Sequence, residues 1–174
     1  LGHSPTVLIR ALNNQAMALI NPGASLHHRG VVDLAQRLCE STGSDQAYLL
    51  NSGSEACEAA IKLARKWGRI HRGGAIGIIT ARQGCHGRSI TALSASGYEN
   101  GLPGFSQVPF NDLAALHSAV DAQTVAIILE PIQSEAGVIP ATHDYLQGVA
   151  KLCRELGILL ILDEVQTGFG RTGK

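Results

Sequence analysis

Ile158-Leu159-Leu160-Ile161-Leu162-Asp163-Glu164 decides the fold of this 174-residue chain. Five apolar residues run without alternation and then stop on two carboxylates. A run this short cannot cross a bilayer, and its lack of period-2 patterning suits a parallel strand buried on both faces. A carboxylate at the carboxyl end of such a strand points into the crevice where open parallel sheets bind their ligands. Asp163 is therefore a candidate partner for a positive atom of a ligand.

Outward from that strand, the pattern alternates between helices and strands. A helix over about Asp144 to Leu156, closed by Gly157, precedes it; Val125 to Leu129 and Ala75 to Thr80 read as further buried strands, with a helix near Asp112 to Val120 between them. Tyr48-Leu49-Leu50 reads as a short strand ending on Asn51-Ser52-Gly53-Ser54. From there Ala56, Ala59, Ala60, Leu63, Ala64 and Trp67 recur at helical spacing, with Glu58 and Lys62 as an i,i+4 pair on the opposite face. Nearer the start, Ser4 and Pro5 suit the N-cap and first turn of a helix carrying Leu8, Leu12 and Ala16, and a second helix fits about Val31 to Glu40, closed by Gly43. The expected class is α/β, one domain over 1–174 with a mainly parallel sheet flanked by helices.

Composition narrows the functions. Fourteen basic residues balance fourteen acidic ones, so there is no general pull toward nucleic acid or anionic lipid. No apolar stretch approaches the ~20 residues of a membrane span and no leader pattern opens the chain, so a cytoplasmic location is expected. Cys39, Cys57, Cys85 and Cys153 are dispersed and form no C-x-x-C pair, which argues against a zinc motif and a disulfide framework. His27, His28 and His86 belong to no metal-binding pattern, so no metal is expected. Gly168-Phe169-Gly170-Arg171-Thr172-Gly173 has the letters of G-x-G-x-x-G, but five residues, Asp163 to Thr167, separate it from the strand, so a nucleotide loop is disfavoured.

Ser52-Gly53-Ser54-Glu55 has the form of a capping box. Free amides at Gly53 and Ser54, with the positive end of the helix dipole, can also cradle a phosphate. Three segments then bring polar groups to one sheet edge: Asn51 to Ser54, Glu130 with Pro131, and Asp163 with Glu164. A ligand with a phosphate at one end and a basic ring nitrogen at the other would satisfy this crevice, and pyridoxal 5'-phosphate is such a molecule.

The stretches Asn51 to Ala56, Cys85 to Ser89, Val108 to Leu113, Glu130 to Val138 and Asp163 to Gly173 resemble class III aminotransferases, nearest to the acetylornithine and ornithine type. The resemblance implies part of the large domain of the fold type I pyridoxal-phosphate transferases. It implies cofactor contacts from Ser52, Gly53, Ser54, Cys85, His86, Val165 and Gln166, with Asp163 on the pyridine nitrogen. It implies that Arg88 grips the substrate α-carboxylate, that Glu135 pairs with a distant arginine, and that Glu130 supports the site from behind. Cys85 stands where relatives carry an aromatic residue, Cys57 replaces an asparagine, Ser134 a glycine, and Ala24-Ser25-Leu26 occupies a substrate-loop position. The family's Schiff-base lysine lies beyond the Gly-Arg-Thr-Gly segment, and Lys174 is too early to be that residue. The expectation is a piece of a longer homodimeric enzyme, inactive alone, lacking an N-terminal segment, later strands and a C-terminal small domain. That enzyme would move an amino group from N-acetylornithine, or from ornithine, lysine or 4-aminobutyrate, to 2-oxoglutarate. The competing expectation is a non-catalytic half that serves as an interaction module.

Overall fold

The computed structural model describes residues 2–23 and 25–173, so expectations on Ala24 and Lys174 lie outside the described residues. The chain forms two compact units, 1–49 and 50–174. In the first, α1 (Thr6–Ala18) and α2 (Arg29–Thr42) contain no buried residue. Pro5 is the N-cap of α1, with an extended ψ of 127°, so Ser4 lies outside the helix rather than capping it. The second helix extends beyond its predicted limits at both ends and is closed by Gly43, as expected.

The second unit begins with α3 (Gly53–His71) and continues through β1 (Gly77–Ala81), α4 (Ile90–Ala95), β2 (Phe105–Val108), α5 (Leu113–Ala119), β3 (Thr124–Leu129), the short hairpin β4 (Ile132–Gln133) and β5 (Ile139–Pro140), α6 (His143–Leu156) and β6 (Leu159–Leu162). The four longer strands form one parallel sheet in the order β2-β1-β3-β6. Alternate side chains feed two cores. Ile79, Ile127 and Leu129 pack with Leu116 of α5 and Val149 and Leu152 of α6; Ile78, Ala126 and Ile128 pack with Ile61 and Ala64 of α3 and Ala95 of α4. The expected α/β architecture with a mainly parallel sheet is observed.

Five expectations need correction. Residues 48–50 form no strand, because a strand needs a hydrogen-bonded neighbour and none of the four sheet strands pairs with them. The wholly buried strand is β3, whereas β6 is an edge of this sheet, its first three residues half-buried and Leu162 exposed. The buried line of α3 is Cys57, Ile61, Ala64 and Gly68, while Leu63 is exposed. Gly68 determines that rotation: a Cβ there would lie 2.3 Å from the Ala75 carbonyl oxygen and 2.4 Å from Val125 Cγ1, so the helix meets the sheet along the glycine. Among the described residues Glu58 and Lys62 form no ion pair. The strand expected from Ala75 starts at Gly77, while β2, α4 and the hairpin were not anticipated. No helix among the described residues is long and apolar enough to cross a membrane.

Candidate functional site

Parallel pairing puts the carboxyl ends of β3 and β6 side by side, and each strand is followed at once by a carboxylate, Glu130 or Asp163. The loop after β1 carries Cys85, His86 and Gly87 to the same edge, and α3 presents its N-terminus to it. Together they line a cavity of about 240 Å³, bounded also by Val165 and Gln166.

The start of α3 is built as a capping box. Ser52 Oγ accepts from the Glu55 amide at 3.3 Å, and the Glu55 carboxylate reaches back to accept from the Asn51 amide at 2.8 Å. The Ala56 amide is satisfied by the Ser52 carbonyl at 3.0 Å. A helix start leaves four amides without intrahelical partners, and the amides of Gly53 and Ser54 find no acceptor among the described residues. Both residues line the cavity. The approach is close on both sides: a Cβ at Gly53 would lie 2.6 Å from Val165 Cγ1, and one at Gly87 would lie 2.5 Å from Ser54 Oγ. The Arg88 amide docks the loop by donating to Ser54 Oγ at 3.2 Å.

On the opposite wall, Asp163 is only 8% exposed. Its Oδ2 lies 2.7 Å from His86 Nδ1 and also accepts from the Cys57 thiol at 3.3 Å; Oδ1 accepts from the Val165 amide at 3.1 Å. An ionised carboxylate only accepts, so His86 carries a proton on Nδ1. Burial alone would push the Asp163 carboxyl up, but these three donors outweigh it and hold the group below its ordinary value. The same burial, with the carboxylate beside it, pushes the Cys57 thiol up to about 12. Glu130 is buried with one specific donor, the Cys85 amide at 2.9 Å, and its carboxyl is raised, chiefly by desolvation.

All eight residues assigned to the cofactor from the sequence line this cavity, as does Glu130. Arg88 and Glu135 do not. Arg88 is exposed, and Glu135 accepts a long hydrogen bond from Gln166 Nε2 at 3.4 Å. Sequence reasoning missed Cys57 as a partner of Asp163; the signal was its place four residues beyond Gly53 on the helix that opens at the cavity.

The description "Aminotransferase class-III" matches residues 1–174. The chain belongs to the class III aminotransferase family. Acetylornithine aminotransferase 2 of Bordetella parapertussis is 49% identical over 180 residues, covering 99% of this chain and 46% of that protein. Acetylornithine aminotransferase of Caldanaerobacter subterraneus subsp. tengcongensis is 44% identical over 182 residues, covering 100% of this chain and 46% of that protein. Among solved structures, N-acetylornithine aminotransferase from Stenotrophomonas maltophilia K279a superposes with a TM-score of 0.87 at 37% identity, over 100% of this chain and 45% of that one. Ornithine aminotransferase from Toxoplasma gondii ME49 gives 0.92 at 34% identity, over 99% and 44%. This class III aminotransferase chain thus spans a little under half the length of the curated relatives it matches.

The family implies pyridoxal 5'-phosphate, and the residues present fit it. Two unpartnered amides at the positive end of a 19-residue helix suit a phosphate, and an ionised, hydrogen-bonded aspartate suits a cationic ring nitrogen. The fold, a parallel sheet with helices on both faces, is that of the fold type I pyridoxal-phosphate transferases.

Proposed function

We propose that this chain is the cofactor-holding part of an aminotransferase that takes an amino group from an ornithine-like donor, N-acetylornithine first, and delivers it to 2-oxoglutarate. The observation that carries the reading is Asp163: a buried carboxylate kept ionised by three donors, facing a cavity whose other wall ends in free helix amides. A buried charge of this kind is costly unless it has a partner to hold.

In this reading Asp163 keeps a proton on the ring nitrogen, and His86 and Cys57 keep Asp163 in place. The amides of Gly53 and Ser54 fix the phosphate, with Ser52 and Glu55 holding the helix start in the conformation that exposes them. The cofactor, once bound, supplies the electron sink that stabilises a carbanion at the substrate Cα. Val165, Gln166 and Cys85 line the cavity and would hold the ring there, Val165 by packing, Gln166 by hydrogen bonding and Cys85 in the place of an aromatic residue. Arg88 supplies a planar fork for the substrate α-carboxylate. Glu135 sets the charge near the substrate side chain, and Glu130 supports the Cys85 segment through its bond to the Cys85 amide.

Among the described residues, none that lines the cavity is a lysine. The group that moves the Cα proton and the small domain belong, in this proposal, to the part of the relatives that the chain does not span, the dimer partner is a second copy of the full-length protein, and the chain alone is inactive. The preference for N-acetylornithine rests on the relatives' names. The test is an absorbance scan of the full-length protein loaded with pyridoxal 5'-phosphate, before and after adding N-acetylornithine. Conversion from the aldehyde-form to the amine-form spectrum, reversed by 2-oxoglutarate, is expected; a spectrum unmoved by every ornithine-like amine contradicts the reading.

A further inference from the structure

Three metal-ligating side chains from three separate segments meet at the wall of the cavity: Cys57 of α3, His86 of the loop after β1, and Asp163 after β6. Their ligand atoms lie within 4.8 Å of one another, and all three residues are buried. We infer that Cys57, His86 and Asp163 form a binding site for a zinc-class divalent cation when no cofactor is bound. None of the three was readable as a metal ligand from spacing, because 29 and 77 residues separate His86 from its two partners.

The donor set selects the ion. One sulfur, one imidazole nitrogen and one carboxylate oxygen suit a borderline-soft cation with tetrahedral preference, at bond lengths of about 2.0–2.3 Å. Magnesium or calcium would find a single hard oxygen donor and two unsuitable ones. The two donors on Asp163 already stand at 3.3 Å (Cys57 Sγ) and 2.7 Å (His86 Nδ1) from Oδ2, while Oδ1 is held by the Val165 amide, so Oδ2 is the oxygen free to coordinate. Given tetrahedral bonds of that length, the two pairs at Oδ2 need to open by less than about 1 Å, while Cys57 Sγ and His86 Nδ1 already lie within 4.8 Å of each other. His86 and Asp163 line the cavity, which provides an entry path and leaves the fourth position open to a solvent ligand.

The protons balance. Binding releases the Cys57 thiol proton to solvent, and His86 retains a single proton, carried on Nε2 once Nδ1 coordinates. Because the metal displaces the thiol proton, uptake weakens as pH falls. A thiolate and a carboxylate then neutralise the dication, so no net charge is buried. Because Asp163 and His86 line the cavity, an ion on Asp163 and a ring bound to the same carboxylate exclude one another. That competition alone rests on the function proposed above.

The test uses the full-length protein stripped of cofactor. Zinc is added, the sample is dialysed and bound metal is measured, with Co²⁺ as the optical probe. The expected result is one ion per chain, a thiolate-to-cobalt charge-transfer band in the near ultraviolet, and loss of both in Cys57→Ala and Cys57→Ser. Absence of the charge-transfer band in the unmodified protein, a readout needing no variant, overturns the site; so does undiminished zinc in folded Cys57→Ala, which would move the ion elsewhere, such as to His27 and His28. Zinc that raises the apparent Kd for pyridoxal 5'-phosphate supports the shared position. Bound cobalt with its thiolate band but unaltered cofactor uptake supports the ion site while removing Asp163 from the ring, so the two proposals fail separately.

Discussion

Glu130 and Asp163 follow neighbouring parallel strands, sit at the same sheet edge and are both buried, yet their carboxyls are pushed in opposite directions. Desolvation is the largest influence on each. Asp163 overcomes it with His86, the Val165 amide and Cys57, whereas Glu130 has the Cys85 amide and the neighbouring His86 against burial and two nearby carboxylates. Position in the fold does not make a carboxylate an ionised ligand partner; its donors do. The difference makes Asp163 the more readily ionised of the two carboxyls at the cavity.

Several measurements on the full-length protein can break or sharpen that contrast. Asp163→Ala should lower turnover by about 10³-fold, in line with loss of a preorganised electrostatic contact in a buried site, while Glu130→Gln stays within about tenfold. Equal losses in steady-state assays would erase the distinction between the two strand ends. Gly53→Ala places a methyl against Val165 at the phosphate end and should cost about 1–3 kcal/mol in holding the cofactor, measured by equilibrium titration; Val165→Ala in the same chain should recover most of it. Ser52→Ala removes the α3 cap and should lower stability by about 1 kcal/mol in urea unfolding.

The smallest effect concerns pH. Asp163 has its folded value depressed, so its contribution to stability is present above its ordinary value of 3.8 and is lost as pH falls through the folded value. Glu130 is raised, so its contribution is present below its ordinary value of 4.5 and is lost as pH rises through the folded value. Unfolding of cofactor-free protein should therefore show Asp163→Asn losing ground as pH rises toward 3.8, and Glu130→Gln gaining on the unmodified protein as pH rises above 4.5. Parallel curves would mean that the two carboxyls share one environment.

Much of this was legible before any coordinates. Val125 to Leu129 and Ile158 to Leu162 are unbroken apolar runs, and a run ending on a carboxylate has few other meanings than a strand end at a crevice. Their relative burial was not legible, since strand order depends on which neighbours pair, and β6 is an edge of this sheet. Among the described residues Tyr48 to Leu50 has strand-like residues but no ladder partner, and Phe105 to Val108 has a partner but two adjacent polar residues, Ser106 and Gln107, that break any strand pattern. In α3 the alanines and Leu63 outline a plausible apolar face, but the close approach at Gly68 turns Ile61 and Cys57 inward instead. That rotation is why the thiol beneath Asp163 went unread. The pairing of His86 with Asp163 spans 77 residues and follows only from the parallel order of the strands.

The most direct test of the account is the ¹⁵N chemical shift of ring-labelled pyridoxal 5'-phosphate bound to the full-length protein at neutral pH. A shift in the pyridinium range, moving to the neutral pyridine range in Asp163→Ala, is predicted. A neutral-pyridine shift in the unmodified protein, or one indifferent to the loss of Asp163, would contradict the assignment on which the proposed function stands.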